Sequence, residues 1–485
     1  MTNDLDAALA LSRFGLGARD GSLTAIGSDP RGALRQEVTS RALAMPAGPE
    51  LKTSPALLVD LYEFLKERRL ERERKNEKAT PQSAAGKPMS RRQMMTGGQN
   101  TPASPAAGPM NNVPKPQLVF LAEVEARFNG TMREPAIGFP ERLAMFWANH
   151  FSVAVSKGPG VRVLAGAFER EAIRPFVLDH FANMLLAVER HPAMLFYLDN
   201  QQSIGPDSRA GQRRTRGLNE NLAREILELH TLGVGSGYSQ ADVTSFAGML
   251  TGWTMAGREG RLGEPGTFVF NANAHQPGQA MLLGKTYPAG GMGQAEAALD
   301  DIARQPATAQ HIATKLARHF IADDPPPAAV SHLAQVFVKT EGSLMSLAQA
   351  LIDMPQAWST PLAKLRSPLD YVTALRRAIG VTAGNEPQRT LAWLRALGEP
   401  LWEPPGPNGF PDTTDAWASA EGMKTRLDIS WQAARQASSI GNPNEMLDAL
   451  VGASVSAETR QAISRAESKQ QGLALLLMAP EFQRR

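Results

Sequence analysis

The segment GLNENLAREILELHTLG at residues 217–233 carries the pattern on which the fold prediction rests. Its apolar residues Leu222, Ile226 and Leu229 recur at intervals of four and three, so an α-helix would place them on one face. Polar and charged residues occupy the other positions, as in a helix that is buried on one side only. The spacing predicts a helix over residues 219–232.

The same periodicity recurs along most of the chain and predicts a mainly α fold, a large multi-helix array with one small β-hairpin. The hairpin prediction rests on two short apolar stretches, residues 267–271 and 280–285, separated by a segment rich in Asn, Gln, Pro and Gly. Hydrophobic residues make up 42% of the 485 residues and charged residues 20%, which is typical of a folded globular chain.

Composition divides the chain into four parts. Residues 76–116 are rich in Pro, Ser, Gly, Gln and Asn and hold few core-forming side chains, so we expect a disordered or low-complexity loop there. We expect N-terminal helices over residues 1–75 and a central helical core, with the hairpin near 267–285, over residues 117–355. Residues 356–485 are expected to form C-terminal helices that pack on the core.

Charge and cysteine content exclude several classes of function. The chain has no Cys, which excludes a Cys nucleophile, an iron–sulfur cluster and any Cys-ligated metal. The 51 Lys and Arg residues exceed the 48 Asp and Glu residues by only three. Basic residues concentrate between Lys66 and Arg92, but no aromatic residues interleave with them there, so we expect no nucleic-acid partner.

The N-terminus and the hydropathy pattern give expectations about location. The first residues are acidic and polar rather than basic and apolar, which differs from a signal peptide. No apolar run approaches the length of a membrane helix, so we expect no membrane span. We expect a cytoplasmic protein from the sequence as written, and a periplasmic one only if an exported partner carries it.

The strongest candidate for chemistry is the polar side of the helix predicted over residues 219–232. Asn221, Glu225 and Glu228 share one stripe, and two carboxylates three residues apart can share a proton or a metal ion. His230 follows near the C-terminal end of the helix. We predict these four as catalytic residues that face an open cleft. The alternative is a merely ion-paired helix, because Arg224 lies four residues from both Glu220 and Glu228.

Further residues are predicted to bind a substrate. Arg214 and Arg216 precede the helix N-terminus, where positive charge would attract a carboxylate, phosphate or sulfate group. Trp253 could stack against a sugar or a base, although a tryptophan side chain could as easily belong to the hydrophobic core. His275 lies between the two predicted strands and is expected to be exposed.

The cofactor is left open, and a divalent metal is one possibility. Its predicted ligands are Glu225, Glu228 and His150, although a lone His at the end of an apolar helix is more often a satisfied core residue. The chain contains no phosphate-binding loop with the required lysine and no Gly-x-Ser-x-Gly elbow.

Several of these motifs together resemble the bacterial family known as domain of unknown function 1800. The resemblance covers nearly the whole chain apart from about residues 76–116. It is carried by residues 11–15 (LSRFG), 146–151 (FWANHF), 191–194 (HPAM), 199–200 (DN), 219–233, 237–243 (GYSQADV), 250–253 (LTGW), 283–285 (LGK), 315–320 (KLARHF), 367–368 (SP) and 480–482 (PEF).

The resemblance implies a largely helical bacterial protein, with a partner from a second uncharacterised family that is often encoded nearby and bears a twin-arginine export signal. A role in the cell envelope or periplasm would follow. This chain differs from secreted members because it lacks an export signal, and it has Gln276 where an acidic residue is expected after the His275 position.

Two functional hypotheses follow from the residues and the resemblance. The first is a hydrolase that uses the paired carboxylates, with or without a divalent metal, on an anionic or envelope-associated substrate. The alternative is a non-catalytic export or assembly factor that binds the neighbour-encoded protein.

Overall fold

The computed structural model describes most of the chain. The described residues are 2–41, 43, 45–79, 115–133, 137–213, 217–359, 362–380, 387–437 and 441–485. Residues 80–114 of the predicted loop lie outside the described residues. The two ends of that prediction are wrong, since residues 76–79 and 115–116 belong to the helices on either side.

The mainly α prediction is confirmed. In the described residues the α-helices are α1 (Thr2–Leu9), α2 (Ser22–Ile26), α3 (Pro30–Thr39), α4 (Ser54–Ala79), α5 (Lys115–Arg133), α6 (Phe139–His150), α7 (Pro159–Phe168), α8 (Phe181–Arg190), α9 (Pro192–Tyr197), α10 (Asn221–Glu225), α11 (Gln240–Leu250), α12 (Met292–Ala303), α13 (Pro306–Phe320), α14 (Pro327–Lys339), α15 (Leu344–Asp353), α16 (Pro368–Ala378), α17 (Pro387–Ala396), α18 (Thr414–Trp417), α19 (Ala420–Gln436), α20 (Pro443–Leu450), α21 (Ala457–Ser464), α22 (Lys469–Met478) and α23 (Pro480–Gln483).

Short helical turns of other types interrupt this array. The π-helical turns are Ala10–Phe14, Glu169–Ile173 and Ile226–His230, and the 3-10 turns are Val155–Lys157, Arg174–Phe176, Asn200–Gln202, Gly211–Arg213, Pro355–Trp358 and Gly452–Ser454.

The largely apolar stretch over residues 161–188 does not form one continuous helix. It consists of α7, a π-helical turn, a 3-10 turn at Arg174–Phe176 and then α8. Pro175 lies at the break, and a proline there removes a backbone donor and clashes with the preceding turn. Apolar periodicity alone does not reveal such a break.

The two predicted strands form, but the prediction that they pair with each other is wrong. In chain order the strands are β1 (Trp253–Met255), β2 (Phe268–Phe270), β3 (Ala280–Leu282) and β4 (Lys285–Tyr287). The described residues contain two antiparallel two-stranded sheets, β1–β2 and β3–β4. Leu283 and Gly284 both have positive φ angles, 50° and 76°, which is the geometry of the tight two-residue turn that joins β3 to β4.

Many prolines begin helices rather than end them. Pro306 and Pro368 occupy the first turns of α13 and α16, where the missing N–H would be unpaired in any case. Ser367 caps α16, since its side chain accepts a hydrogen bond from the Asp370 N–H. The abundance of Pro in this helical protein therefore reflects helix starts as well as loops.

A continuous hydrophobic core joins the N-terminal and central helices. The Phe14 ring lies 5.3 Å from that of Phe139 and 6.1 Å from that of Phe320, and Phe139 and Phe320 lie 5.5 Å apart. All three side chains are fully buried. The four-part division of the chain stays a prediction. Among the described helices, none combines the length and apolar composition required to cross a membrane.

Candidate functional site

The helix predicted over residues 219–232 forms as a short α-helix followed by a π-helical turn. Asn219 lies two residues before α10, and its Oδ1 atom accepts a hydrogen bond of 2.9 Å from the Asn221 N–H in the turn that leads into the helix. After α10 the chain continues as a π-helical turn, Ile226–His230. The Thr231 hydroxyl donates to the Ile226 carbonyl at 2.6 Å. Such turns are frequent at functional sites, and they shift the faces that a regular helix would present.

The ion pairs expected from the alternative interpretation of this helix are present. The Arg224 guanidinium lies 3.2 Å from the Glu220 carboxylate and 3.3 Å from the Glu228 carboxylate. Both pairs are partly exposed, so each contributes little to stability. The side chain of Asn221 is exposed.

His230 is buried, contrary to the expectation that it faces an open cleft. Its Nδ1 atom donates a 2.8 Å hydrogen bond to Oε1 of Glu189 on α8, and both side chains are almost fully buried. The other carboxylate oxygen of Glu189 is buried without a hydrogen-bond partner. Glu225 is half-buried beside this pair, and burial raises the pKa of its carboxyl, with Glu228 and Glu189 adding to the shift. The structure thus brings Glu225 and His230 together and adds Glu189.

His150 lies beside His230, at the end of α6. Its Nε2 atom lies 3.1 Å from the His230 carbonyl oxygen, so Nε2 carries the proton, and Nδ1 is buried without a partner. Burial, together with the charge of Lys315, lowers the pKa of His150 well below its usual value. Over the described ranges, no three His, Asp or Glu side chains are grouped so that they could hold a metal ion.

Two of the four predicted substrate-binding residues, Trp253 and His275, lie in the described part of the chain. Arg214 and Arg216 lie outside the described residues. Trp253 is fully buried, with its ring 5.5 Å from that of Phe268, so it offers no stacking surface. His275 is half-buried, and its Nδ1 atom donates to the Thr251 carbonyl at 3.0 Å.

Buried ionisable groups concentrate instead around a cavity of about 300 Å³. Its walls are α6, α13, the start of α16 and the segment 399–413, and Arg485 closes one side. Of the residues predicted from the sequence, His150 lines this cavity. The other charged and amide side chains that line it are Asn149, Lys315, Arg318, His319, Asp370, Glu399, Asn408, Asp412 and Arg485.

His319 and Asp412 form the central pair of this cavity. The Nδ1 atom of His319 lies 2.6 Å from Oδ2 of Asp412, and Nε2 of His319 is buried with no hydrogen-bond partner in the described part of the chain. Burial lowers the pKa of His319 to about 4 and outweighs the opposing effect of Asp412. The imidazole is therefore neutral at pH 7, with its proton on Nδ1 and a free lone pair on Nε2.

Two cations hold Asp412 in its ionised form. Arg485 Nη2 lies 3.0 Å from Oδ1 of Asp412, and Lys364 Nζ lies 3.5 Å from the same oxygen. Burial alone would raise the pKa of Asp412, but His319, Arg485 and Lys364 hold it well below its usual value. Asp412 can therefore orient His319 without competing for its proton.

Two more groups in the cavity titrate close to neutral pH. Burial raises the pKa of Glu399 to about 7, and the neighbouring charge of Asp370 adds to this shift. Burial lowers the pKa of Lys315 to about 8, although Asp412 partly offsets the effect. An acid, a base and a cation with such shifted pKa values in one cavity are typical of a catalytic site.

A close backbone contact positions the segment that carries Asp412. The side-chain amide of Asn149 donates to the Phe410 carbonyl at 2.9 Å, and its Oδ1 atom accepts from the Phe410 N–H at 2.8 Å. Gly409 has a φ of +76°, and a Cβ atom there would lie 2.3 Å from the Asn149 carbonyl oxygen. Only glycine allows this approach.

A second His cluster has the residue types of a Ser–His–Glu triad but not its proton arrangement. Nε2 of His191 lies 3.0 Å from Ser54 Oγ and 3.2 Å from Glu171 Oε2. Nδ1 of His191 accepts a hydrogen bond from the Ala193 N–H at 3.1 Å. The proton of a neutral His191 therefore lies on Nε2, so His191 cannot accept a proton from Ser54.

The sequence interpretation missed Lys315, His319, Glu399 and Asp412. Lys315 and His319 lie four residues apart on α13, and this spacing places two side chains on the same face of a helix. It is the local pattern that could have indicated these two residues as a site. Asp412 lies 93 residues after His319, and no pattern links distant segments in one sequence.

The chain matches the model of one protein family. No curated protein and no solved structure matches the chain. A family model, the protein of unknown function DUF1800, matches residues 9–484. The chain therefore belongs to the DUF1800 family, as the motifs from residue 11 to residue 482 imply.

Proposed function

We propose that the protein is a hydrolase that cleaves an anionic ester or amide in the cavity around His319. The observation that carries this proposal is the unpartnered, buried Nε2 atom of His319, whose opposite nitrogen is hydrogen-bonded to Asp412. A neutral imidazole that is oriented in this way can take a proton from a water molecule. Asp412 is a positioning residue, since it acts through His319.

The first half of the proposed reaction is addition of water. His319 Nε2 accepts a proton from water while the water oxygen bonds to the carbonyl carbon, and the carbonyl electron pair moves to its oxygen. Lys315 and Arg318 supply positive charge in the same cavity, where it can stabilise this oxyanion or hold an anionic part of the substrate.

The second half is loss of the leaving group. Collapse of the oxyanion breaks the bond to the leaving oxygen or nitrogen, and Glu399 supplies the proton that this atom requires. Its pKa of about 7 leaves a substantial protonated fraction at neutral pH. A proton then passes from His319 to Glu399 by way of water. Both side chains thereby return to the protonation states in which the reaction began.

Hydrolysis of p-nitrophenyl hemisuccinate, an anionic ester, tests the proposal, with p-nitrophenyl butyrate as its neutral counterpart. We expect the anionic ester to be cleaved faster, and His319→Asn to lower kcat by about 10²–10⁴. His332→Asn is the matched control, because His332 is an exposed imidazole on α14. Equal rates for wild type and His319→Asn, or no hydrolysis of either ester, would contradict the proposal.

A second site for the same class of reaction is the set predicted from the sequence, Asn221, Glu225, Glu228 and His230. The observation that favours it is the raised pKa of Glu225 beside His230 and Glu189. Loss of hydrolysis in a folded Glu225→Gln variant, with His319→Asn fully active, would favour this site. A metal held by Glu225, Glu228 and His150 stays a prediction, and a stoichiometric divalent metal in elemental analysis would support it.

A further inference from the structure

A second cavity of about 570 Å³ lies apart from the cavity around His319. It lies between the segment 201–213, the start of β1 and the segment 271–274. This volume falls within the range of about 300–1,000 Å³ that is usual for small-molecule sites. The two cavities share no lining residue.

Four amide side chains contribute to the wall of the second cavity. Gln201, Gln202, Asn271 and Asn273 line it. Each amide offers both donors and an acceptor, which suits hydroxyl groups that also donate and accept. The Oε1 atom of Gln201 is buried and has no hydrogen-bond partner among the described residues, so one acceptor is left for a donor from a ligand.

Two arginines give this cavity a positive charge. Arg209 and Arg213 line it with exposed side chains, and no described lining residue is acidic. The nearest acid along the chain, Asp207, accepts a 2.7 Å hydrogen bond from the side chain of Gln276 and does not line the cavity. Arginine side chains in such a place favour a carboxylate or another planar anion.

We propose that this cavity binds an acidic saccharide, with its hydroxyl groups on the amides and its carboxylate on Arg209 and Arg213. Trp253 is part of the cavity wall, but it is fully buried and so offers no ring face for stacking. Recognition therefore depends on hydrogen bonds and charge rather than on a ring face. The proposal is independent of the hydrolase proposal, since it concerns different residues.

Isothermal titration of the full chain with digalacturonate tests this proposal, with cellobiose as a neutral disaccharide. We expect saturable binding of digalacturonate that is at least about tenfold tighter than that of cellobiose. Arg209→Ala/Arg213→Ala should weaken digalacturonate binding by about tenfold or more and leave cellobiose binding unchanged. Arg435→Ala is the matched control, because Arg435 is an exposed arginine on α19.

Three outcomes would overturn the proposal. The first is that digalacturonate does not bind saturably. The second is that the double arginine variant binds digalacturonate with unchanged affinity. The third is that inorganic phosphate binds as tightly as digalacturonate. The last outcome would show a simple anion site to which the amides contribute nothing. Gln201→Leu separates these cases further, since it should weaken both disaccharides but not phosphate.

Discussion

His319 Nδ1 and Asp412 Oδ2 lie 2.6 Å apart, although 93 residues separate them in the chain. The contact joins the last turn of α13 to the segment that precedes α18. Because the carboxylate holds the ring proton on Nδ1, the lone pair on Nε2 is left free. The proposed chemistry depends on this relationship.

Asp412→Asn should lower kcat for p-nitrophenyl hemisuccinate by about 10²–10⁴, close to the effect of His319→Asn. An amide can donate to Nδ1, which would move the ring proton to Nε2 and remove the free lone pair. The double variant should be no slower than either single variant, because both changes remove the same function. Additive losses in the double variant would contradict a shared role.

The rate of hydrolysis should be limited by two ionisations. The base His319 must be deprotonated, so the rate should rise with pH through about 4. The acid Glu399 must be protonated where the leaving group is an alkoxide, so the rate for monoethyl succinate should fall as pH rises through about 7. A pH profile of kcat measures both limbs. Glu399→Gln should be slower and lose the limb near 7, and retention of that limb would show that another group causes it.

The contact between Gly409 and Asn149 should be essential to the site. Gly409→Ala adds a Cβ atom 2.3 Å from the Asn149 carbonyl oxygen at a φ of +76°, so the segment that carries Asp412 must move. Gly380→Ala is the control, since φ is +65° and, among the described residues other than its chain neighbours, no atom lies within 4 Å of the added Cβ.

Denaturant unfolding measures the difference between these glycines. We expect Gly380→Ala to lower the free energy of unfolding by about 1–2 kcal/mol, the cost of the left-handed conformation alone. Gly409→Ala should cost at least twice as much and should also reduce hydrolysis. Equal costs for the two variants would show that the close approach is relaxed in solution.

The two acids near His230 should differ sharply in their effect on stability. Glu189→Ala leaves the buried Nδ1 atom of His230 without its 2.8 Å acceptor, so we expect a loss of about 3–5 kcal/mol in the free energy of unfolding. Glu228→Ala removes a partly exposed ion pair with Arg224 and a hydrogen bond with the Tyr238 side chain, and it should cost about 1 kcal/mol. Similar losses for both would mean that the buried pair is not formed as described.

Helical periodicity was sufficient to predict the mainly α fold, because apolar stripes tend to be buried; Leu222 and Ile226 are fully buried and Leu229 is half-buried. It could not predict strand pairing, which depended on the backbone geometry of Leu283 and Gly284. It also missed the π-helical turn after Glu225, because periodicity assumes a constant number of residues per turn.

The candidate site was harder to predict than the fold for a physical reason. Periodicity indicates which face of a helix is buried, but not which distant segment covers that face. Glu399 and Asp412 lie in a segment rich in Pro and Gly, whose position is determined by contacts such as that between Asn149 and Phe410. His150 was identified from the sequence because it lies at the end of a clear helix.

The proposed role of His319 as a base depends on which nitrogen of its ring carries the proton. NMR of the full chain with ¹⁵N-labelled histidine reports which ring nitrogen carries the proton, and His319→Asn assigns the signal. The account predicts a neutral ring at pH 7, with Nδ1 protonated and Nε2 bare. A positively charged ring at pH 7, or a proton on Nε2, would contradict it.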